Sequence, residues 1–360
     1  MSKDDQHDAE TVADRILDAT IGLFDLATIH LGVRLGLYRR LADSGPLTAD
    51  ELADLTGTRP RLVREWCEQQ AATGILACVD PGVEPDARRF WLPEGHAEAL
   101  AERDSPRYVA GGVGGLATLL AAILELEQGM RVDPGPGASD AASELEPIGE
   151  TNRPLFLHLL SGWLAAIPDI HERLRAGPAA RVLDVACGAG WSSLAIARAY
   201  PRVRVDALDI DPRAIALAER HALDAGVGGR VAFLAADAAD PGLEGPYDLV
   251  TCFEAVHDMV DPVAVLRRWH HLLAPDGACL VADARVEPSF TAPAGRLDRL
   301  AYGWSVLDCL PAVMATPDSA ATGAVMRPAT LQAYAARAGF TGFEILPLED
   351  PGWRFYRLRR

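Results

Sequence analysis

Basic charge is scarce in this chain. Its 360 residues hold 34 Lys and Arg against 51 Asp and Glu, a formal charge of −17. Such a surface repels phosphate backbones and anionic lipid heads, so nucleic-acid binding over a broad face is disfavoured. The six cysteines (Cys67, Cys78, Cys187, Cys252, Cys279 and Cys309) form no CxxC pair, and several sit in apolar runs such as LVTCFEAV and GACLVAD. That pattern supplies neither a zinc ligand set nor a disulfide ladder, and it predicts reduced, mostly buried thiols, Cys309 among them. The N-terminal MSKDDQHDAE has no apolar signal segment. Charge interrupts each apolar stretch before the 18 residues that a membrane span needs. The expectation is a soluble, cytoplasmic protein without a membrane partner.

What the chain does have is enough apolar material for sizeable cores, with 49% hydrophobic and 24% charged residues, near the averages of folded domains. At roughly 150 residues per domain the length suggests two domains, with room for a bridging piece. No internal repeat is visible.

From Glu10 to Leu41 the apolar residues Val12, Ile16, Leu17, Leu23, Phe24, Leu26, Ile29, Leu31 and Leu35 recur at helical spacing. Gly32 and Gly36 mark a break, and the first ten residues read as frayed. Thr48 with Glu51 three residues on has capping-box spacing for a short helix. A further helix opens after Thr58, with Pro60 in its first turn, and runs to Gly74. Ile75–Val79 and Arg89–Leu92 then read as two strands. This order is that of a winged helix, a module that either reads DNA or binds protein. Arg59, Arg61 and Arg64 would face DNA, but Glu65 and Glu68 offset them. The acidic balance and the long apolar helix favour protein–protein contact.

Residues 105–176 read as a helical linker or lid, with a helix after the glycines up to Leu126, a Pro/Gly/Ser loop over Asp133–Glu146, and a strong helix over Leu155–Leu174 kinked at Pro168. From residue 177 the texture alternates. Strands are predicted at Arg181–Ala186, Arg204–Leu208, Val231–Ala235, Tyr247–Phe253, Ala278–Ala282, Phe343–Pro347 and Arg354–Leu358. Helices lie between them at Ser192–Tyr200, Ala214–Ala225, Val263–Leu273 and Ala329–Arg337. The fold class is therefore α/β, a doubly wound Rossmann-like sheet behind a mostly helical winged-helix domain, divided as 1–104, 105–176 and 177–360.

The strongest chemical signal is Val182-Leu183-Asp184-Val185-Ala186-Cys187-Gly188-Ala189-Gly190-Trp191, a buried strand entering a glycine turn and a helix. Gly188 and Gly190 permit close approach of a ligand to the backbone. A dinucleotide fingerprint requires a third glycine where Ser193 stands, so a pyrophosphate cradle fits poorly. Asp184 would repel a diphosphate and attract a cation. Asp209 closes the next strand 19 residues after Gly190, where a carboxylate chelates a ribose diol. Asp237 ends the strand after that, suited to an adenine amino group. A purely structural domain whose acids cap helices is the plainer alternative to each signal alone, but their joint occurrence on successive strand ends is far more specific.

These residues resemble the class I S-adenosylmethionine-dependent methyltransferases. The resemblance implies cofactor contacts at Asp184, Gly188, Gly190, Asp209, Asp237 and Ala238, with Ile210 and Phe253 beside them; Ala186 stands where many members carry glycine. With the winged helix in front, the chain from about residue 12 is similar to the small-molecule O-methyltransferases, which implies a homodimer, a helical lid and a small hydrophobic acceptor. In that family a His-Asp pair after the fourth strand supplies a general base, and here it is His257-Asp258. An ordinary imidazole is a weak base for a phenol, whose pKa of about 10 lies roughly 3.5 units higher, or about 5 kcal/mol. Proton removal is therefore expected to accompany methyl transfer. The family's second acid has no clear equivalent, with Asp283 and Glu287 nearby. Trp163, Tyr302 and Trp304, with Met314 and Met326, are expected to line the acceptor pocket. The resemblance also offers a metal reading, since a few relatives that methylate α-keto acids hold iron by His-Asp plus another histidine; here no histidine follows His271, a third ligand would have to be another residue type, and no metal is expected. Two rivals remain at this level, a DNA-binding regulator that senses the cofactor and a relative that binds it without methylating.

Overall fold

The computed structural model describes residues 3–115, 145–176 and 180–360. The chain divides into two compact units, residues 1–117 and 118–360.

In the first unit a helix spans Lys3–Arg34, so it starts inside the ten residues expected to fray. Gly36, at φ 69°, breaks it from a second helix, Leu37–Ser44. The Thr48 hydroxyl accepts from the Glu51 amide at 3.2 Å while the Glu51 carboxylate accepts from the Thr48 amide at 2.8 Å. This reciprocal pair opens the helix Ala49–Thr56. Pro60 begins the next helix, Pro60–Ala72, where its missing N–H costs nothing.

Strands β1 (Leu47–Thr48), β2 (Ala77–Cys78) and β3 (Arg89–Trp91) pair antiparallel in the order β1-β3-β2. The first of these was not foreseen, since two residues carry no alternation. Leu37, Tyr38, Leu41, Leu52, Trp66 and Phe90 form the core. Two of the three arginines proposed for DNA are engaged by acids, Arg61 with Glu65 and Arg64 with Asp86.

The long helix leaves Ile16 and Phe24 64% and 62% exposed, with Leu17 and Ile21 also outside. Thr11–Arg34, at mean hydropathy 1.5, is by length and composition long and apolar enough to cross a membrane. Excluding any such stretch by its interrupting charges was too strict.

In the second unit, seven strands form one sheet: β4 (Arg181–Val185), β5 (Arg204–Asp209), β6 (Val231–Ala235), β7 (Tyr247–Phe253), β8 (Leu273–Ala284), β9 (Gly342–Ile345) and β10 (Trp353–Arg359). Their order is β6-β5-β4-β7-β8-β10-β9. The first five are parallel, and β10 runs antiparallel to both its neighbours. Alternate residues of a strand face opposite layers. Val182 joins Leu160, Ile167, Leu194 and Trp353 on one face, while Leu183 joins Leu266, Trp269, Leu331 and Phe340 on the other. Strand order reverses between β4 and β7, the place where an open α/β sheet leaves a crevice at its carboxyl edge.

The predicted kinked helix is two helices, Leu145–Ala165 and Pro168–Ala176. Pro168 lacks the N–H needed to continue the first and sits at the first position of the second instead. The helix expected to reach Leu126 and the loop Asp133–Glu146 lie outside the described residues beyond Gly115, except Leu145 and Glu146, which open a helix.

Gly32 fits only because it has no side chain. A Cβ there would meet the rings of Trp66 at 2.5 Å and Tyr38 at 2.6 Å. The expected outcome of Gly32→Ala is destabilisation by about 1–3 kcal/mol from overpacking. Denaturant unfolding followed by tryptophan fluorescence checks this, and an unchanged midpoint would show that the two rings can move aside.

Candidate active site

The turn after β4 begins at Ala186, held at φ 54°, and continues through Gly188 at φ 51° and Gly190 at φ 82°. A Cβ on Gly188 would meet nothing within 4 Å, so its backbone faces open space. A Cβ on Gly190 would strike Ala218 at 2.8 Å. The two glycines thus have different tasks, one leaving the backbone approachable and the other letting two helices pack.

Asp184, expected at a ligand, is instead sealed away at 0% exposure. It lies on the face of β4 that covers the start of the helix Trp191–Ala199. Ser192 donates to it at 2.6 Å, Thr251 of β7 at 2.7 Å, and Ser193 donates as well. Burial pushes this carboxyl up, while the three hydroxyls work against that shift. Three donors on one acid are the pattern of an acceptor-only carboxylate. Its role is to clasp the turn, the helix and β7 together.

Asp209, at the end of β5, receives the Gly188 amide on Oδ2 and the Asp211 amide on Oδ1, both at 2.9 Å. It holds the glycine turn directly. Ile210 follows at 74% exposure, an apolar side chain left open at the strand end. Asp237, beyond β6, is exposed and accepts the Ala239 amide at 2.7 Å, with Ala238 half-buried next to it. Phe253 closes β7 and packs edge-on against Phe156 at 5.0 Å. The turn, Asp209 and Asp237 therefore share the carboxyl edge of three adjacent strands, with Asp184 behind them.

Across the strand-order reversal, a 3-10 turn Val256–Asp258 carries His257. Its Nδ1 lies 2.8 Å from Oδ1 of Asp283, a residue only 1% exposed. Phe253 of β7 is in register with Ala282 of β8, which sets Asp283 one residue beyond, beside that turn. Asp283 is the acid the sequence could only place approximately; a charged residue closing a predicted buried strand was the available signal. Oδ2 of Asp283 is buried without a partner.

Burial alone would press the imidazolium of His257 toward neutrality, but the Asp283 carboxylate outweighs it and the group is pushed up. With Nδ1 turned to Asp283, Nε2 points the other way, 3.4 Å from Oδ2 of Asp258 and 3.6 Å from Sγ of Cys309. Cys309 arrives there on a π-helical stretch, Ser305–Cys309, a geometry often found at functional sites. A cysteine read as merely structural thus stands against the histidine.

Glu254 takes the left-handed φ of 52° between Phe253 and the turn, and its carboxylate accepts from Asn152 at 2.8 Å. Nothing in the sequence marked it, because backbone strain leaves no compositional trace.

The residues expected to line an acceptor pocket sit in different settings. Trp163 is buried in an aromatic cluster with Phe156, Phe253, Trp353 and Phe355. Tyr302 and Trp304 are half-buried on the helix Arg296–Trp304, and the Tyr302 hydroxyl accepts from Arg327 at 3.2 Å. Met326 belongs to the core and Met314 is exposed.

Residues 182–277 match the family model described as a methyltransferase domain, and residues 24–102 match an Rv2258c-like winged HTH domain. The ubiquinone biosynthesis O-methyltransferase of Ralstonia nicotianae is 33% identical over 138 residues, which are 38% of this chain and 52% of that protein. The chain thus spans about half the length of the curated relatives it matches. Among solved structures, a Nostoc punctiforme chain solved as a candidate O-methyltransferase superposes with a TM-score of 0.74 at 18% identity, over 96% of this chain and 99% of its own. Human N-acetylserotonin methyltransferase in complex with SAM gives 0.65 at 18% identity, over 97% of both chains. Mitomycin 7-O-methyltransferase gives 0.66 at 20% identity over the full length of both.

Asp184→Ala leaves three buried hydroxyls without their acceptor. A loss of about 3 kcal/mol or more is expected in chemical unfolding. Ala186→Gly removes a side chain from a left-handed position and is expected to raise stability by about 0.5–1 kcal/mol. A neutral Asp184→Ala would show that the clasp is replaceable by water.

Proposed function

We propose that this chain, which has the class I methyltransferase fold behind a winged-helix domain, transfers a methyl group from S-adenosylmethionine to the hydroxyl of a small hydrophobic acceptor. The observation that carries this is one row of strand ends. It runs from Asp237 and Asp209 through the glycine turn to the His257–Asp283 pair, on both sides of the strand-order reversal.

Each oxygen of Asp209 already accepts one amide, and a carboxylate oxygen has a second lone pair to offer. Two ribose hydroxyls fit that remaining capacity. Asp237 and Ala238 are assigned to the adenine edge. Ile210 and Phe253 supply apolar contact, and the open backbone of Gly188 lies along the methionine part. Gly190 supports this by packing, and Asp184 by holding the turn. The helices of residues 145–176 are read as cover for the site, with Tyr302 and Trp304 on the acceptor side. The exposed apolar face of Thr11–Arg34 is read as a homodimer surface in a cytoplasmic enzyme rather than a membrane span.

His257 is the base. Its Nδ1–H is donated to Asp283, which fixes the tautomer and stabilises the imidazolium that forms when Nε2 takes the acceptor proton. S-adenosylmethionine, held by the turn, Asp209 and Asp237, would supply the methyl group that the deprotonating acceptor oxygen takes, leaving S-adenosylhomocysteine. Asp283 narrows the gap of about 5 kcal/mol between an ordinary imidazole and a phenol by pushing His257 up. Most of the acceleration comes from positioning the three reacting atoms.

Calorimetric titration with S-adenosylhomocysteine is expected to show one site per chain, with Asp209→Ala weakening it at least tenfold, roughly the worth of a charge-assisted hydrogen-bond pair. Absence of binding to the folded wild-type chain would defeat the assignment. The pH profile tests the base. Because His257 is raised, activity should climb as pH rises through neutrality into the alkaline range and the base form appears. Asp283→Asn removes the raising charge, so the limb should move to lower pH while kcat falls by about 100-fold. An unmoved limb would take the base role away from His257.

A further inference from the structure

The geometry points to a transition-metal site formed by Nε2 of His257, Oδ2 of Asp258 and Sγ of Cys309, open at one position toward an acceptor oxygen. These three atoms lie within 4.8 Å of one another. The separations are 3.6 Å from nitrogen to sulfur and 3.4 Å from nitrogen to oxygen. Ligands on one tetrahedral zinc-class ion, at about 2.1 Å for nitrogen, 2.3 Å for sulfur and 2.0 Å for oxygen, would stand about 3.5 Å and 3.3 Å apart. The two separations from the imidazole nitrogen are those such an ion requires.

The surroundings agree. A metal-bound histidine typically donates its other ring N–H to a carboxylate, which aims the ligand nitrogen. His257 makes that bond to Asp283, whose second oxygen is buried without a partner. Asp258, Asp283 and Asp308 surround the single imidazole, and among the described residues no Lys or Arg forms an ion pair with any of the three. The cluster sets three carboxyl groups around one imidazole. Asp258 is about 43% exposed at its side chain, which gives an ion a way in, while His257 and Cys309 are buried.

Nitrogen, oxygen and thiolate donors together suit zinc, cobalt or ferrous ions rather than magnesium or calcium. Three protein ligands leave the fourth position for a hydroxyl oxygen, which the ion would acidify. Binding displaces one proton from His257 and one from Cys309. This reading rests on the assignment of the pocket as the acceptor site, and it gives Nε2 of His257 a ligand's task in the metal-bound form.

The test uses the full-length chain, reduced, stripped with EDTA and titrated with cobalt(II). One ion per chain with a cobalt–thiolate charge-transfer band is expected. Cys309→Ser should remove the band, while Cys252→Ser and Cys279→Ser keep it. Asp283→Asn should weaken binding by about 10–100-fold, as loss of a carboxylate behind a ligand does. Circular dichroism confirms that each variant is folded. No stoichiometric cobalt, or a band that survives Cys309→Ser, overturns the site, the latter leaving only a thiol–imidazole hydrogen bond. Binding of S-adenosylhomocysteine is measured on the same samples. Its failure alone removes the methyltransferase reading, and failure of cobalt alone removes the metal.

Discussion

The architecture of the second unit turns on one carboxylate that meets no solvent. Asp184 sits in the middle of the sheet and gathers hydroxyls from two consecutive helical residues and from the neighbouring strand. A charge in that position is costly unless its donors are held in place, so the strand, the turn and the helix start must form together or not at all. Asp209 adds a second restraint on the glycine turn by taking the Gly188 amide.

A second pair of acids works on the other side of the strand-order reversal. Asp283 reaches His257 because β7 and β8 are in parallel register, which delivers a strand-end acid and a turn histidine to the same height. The contact engages one ring nitrogen and leaves the other directed toward Asp258 and Cys309. Cys309 reaches His257 from the π-helical stretch Ser305–Cys309.

Much of the fold was legible in the sequence. Buried parallel strands are continuous apolar runs, and β4 and β7 fall where the runs do, β4 to within one residue. The capping box at Thr48 and the break at Gly36 are local chemistry, so spacing alone located them. The two-residue strand β1 carries no period and was missed. The proline at 168 was placed inside a helix because apolar periodicity continues across it, while the backbone requires a new start.

The candidate site divides along the same line. Sequence by itself determined the glycine turn, the acids at successive strand ends and the His-Asp pair, because each belongs to a motif of fixed spacing next to a recognisable strand. Only the tertiary structure decided that Asp184 faces inward, that Trp163 belongs to a packed aromatic cluster, and that Cys309 and Asp283 bracket His257. Those facts depend on which face of a strand meets which helix and on contacts made by residues 26 and 52 positions apart. No local pattern encodes a pairing over such distances; packing of the whole sheet does.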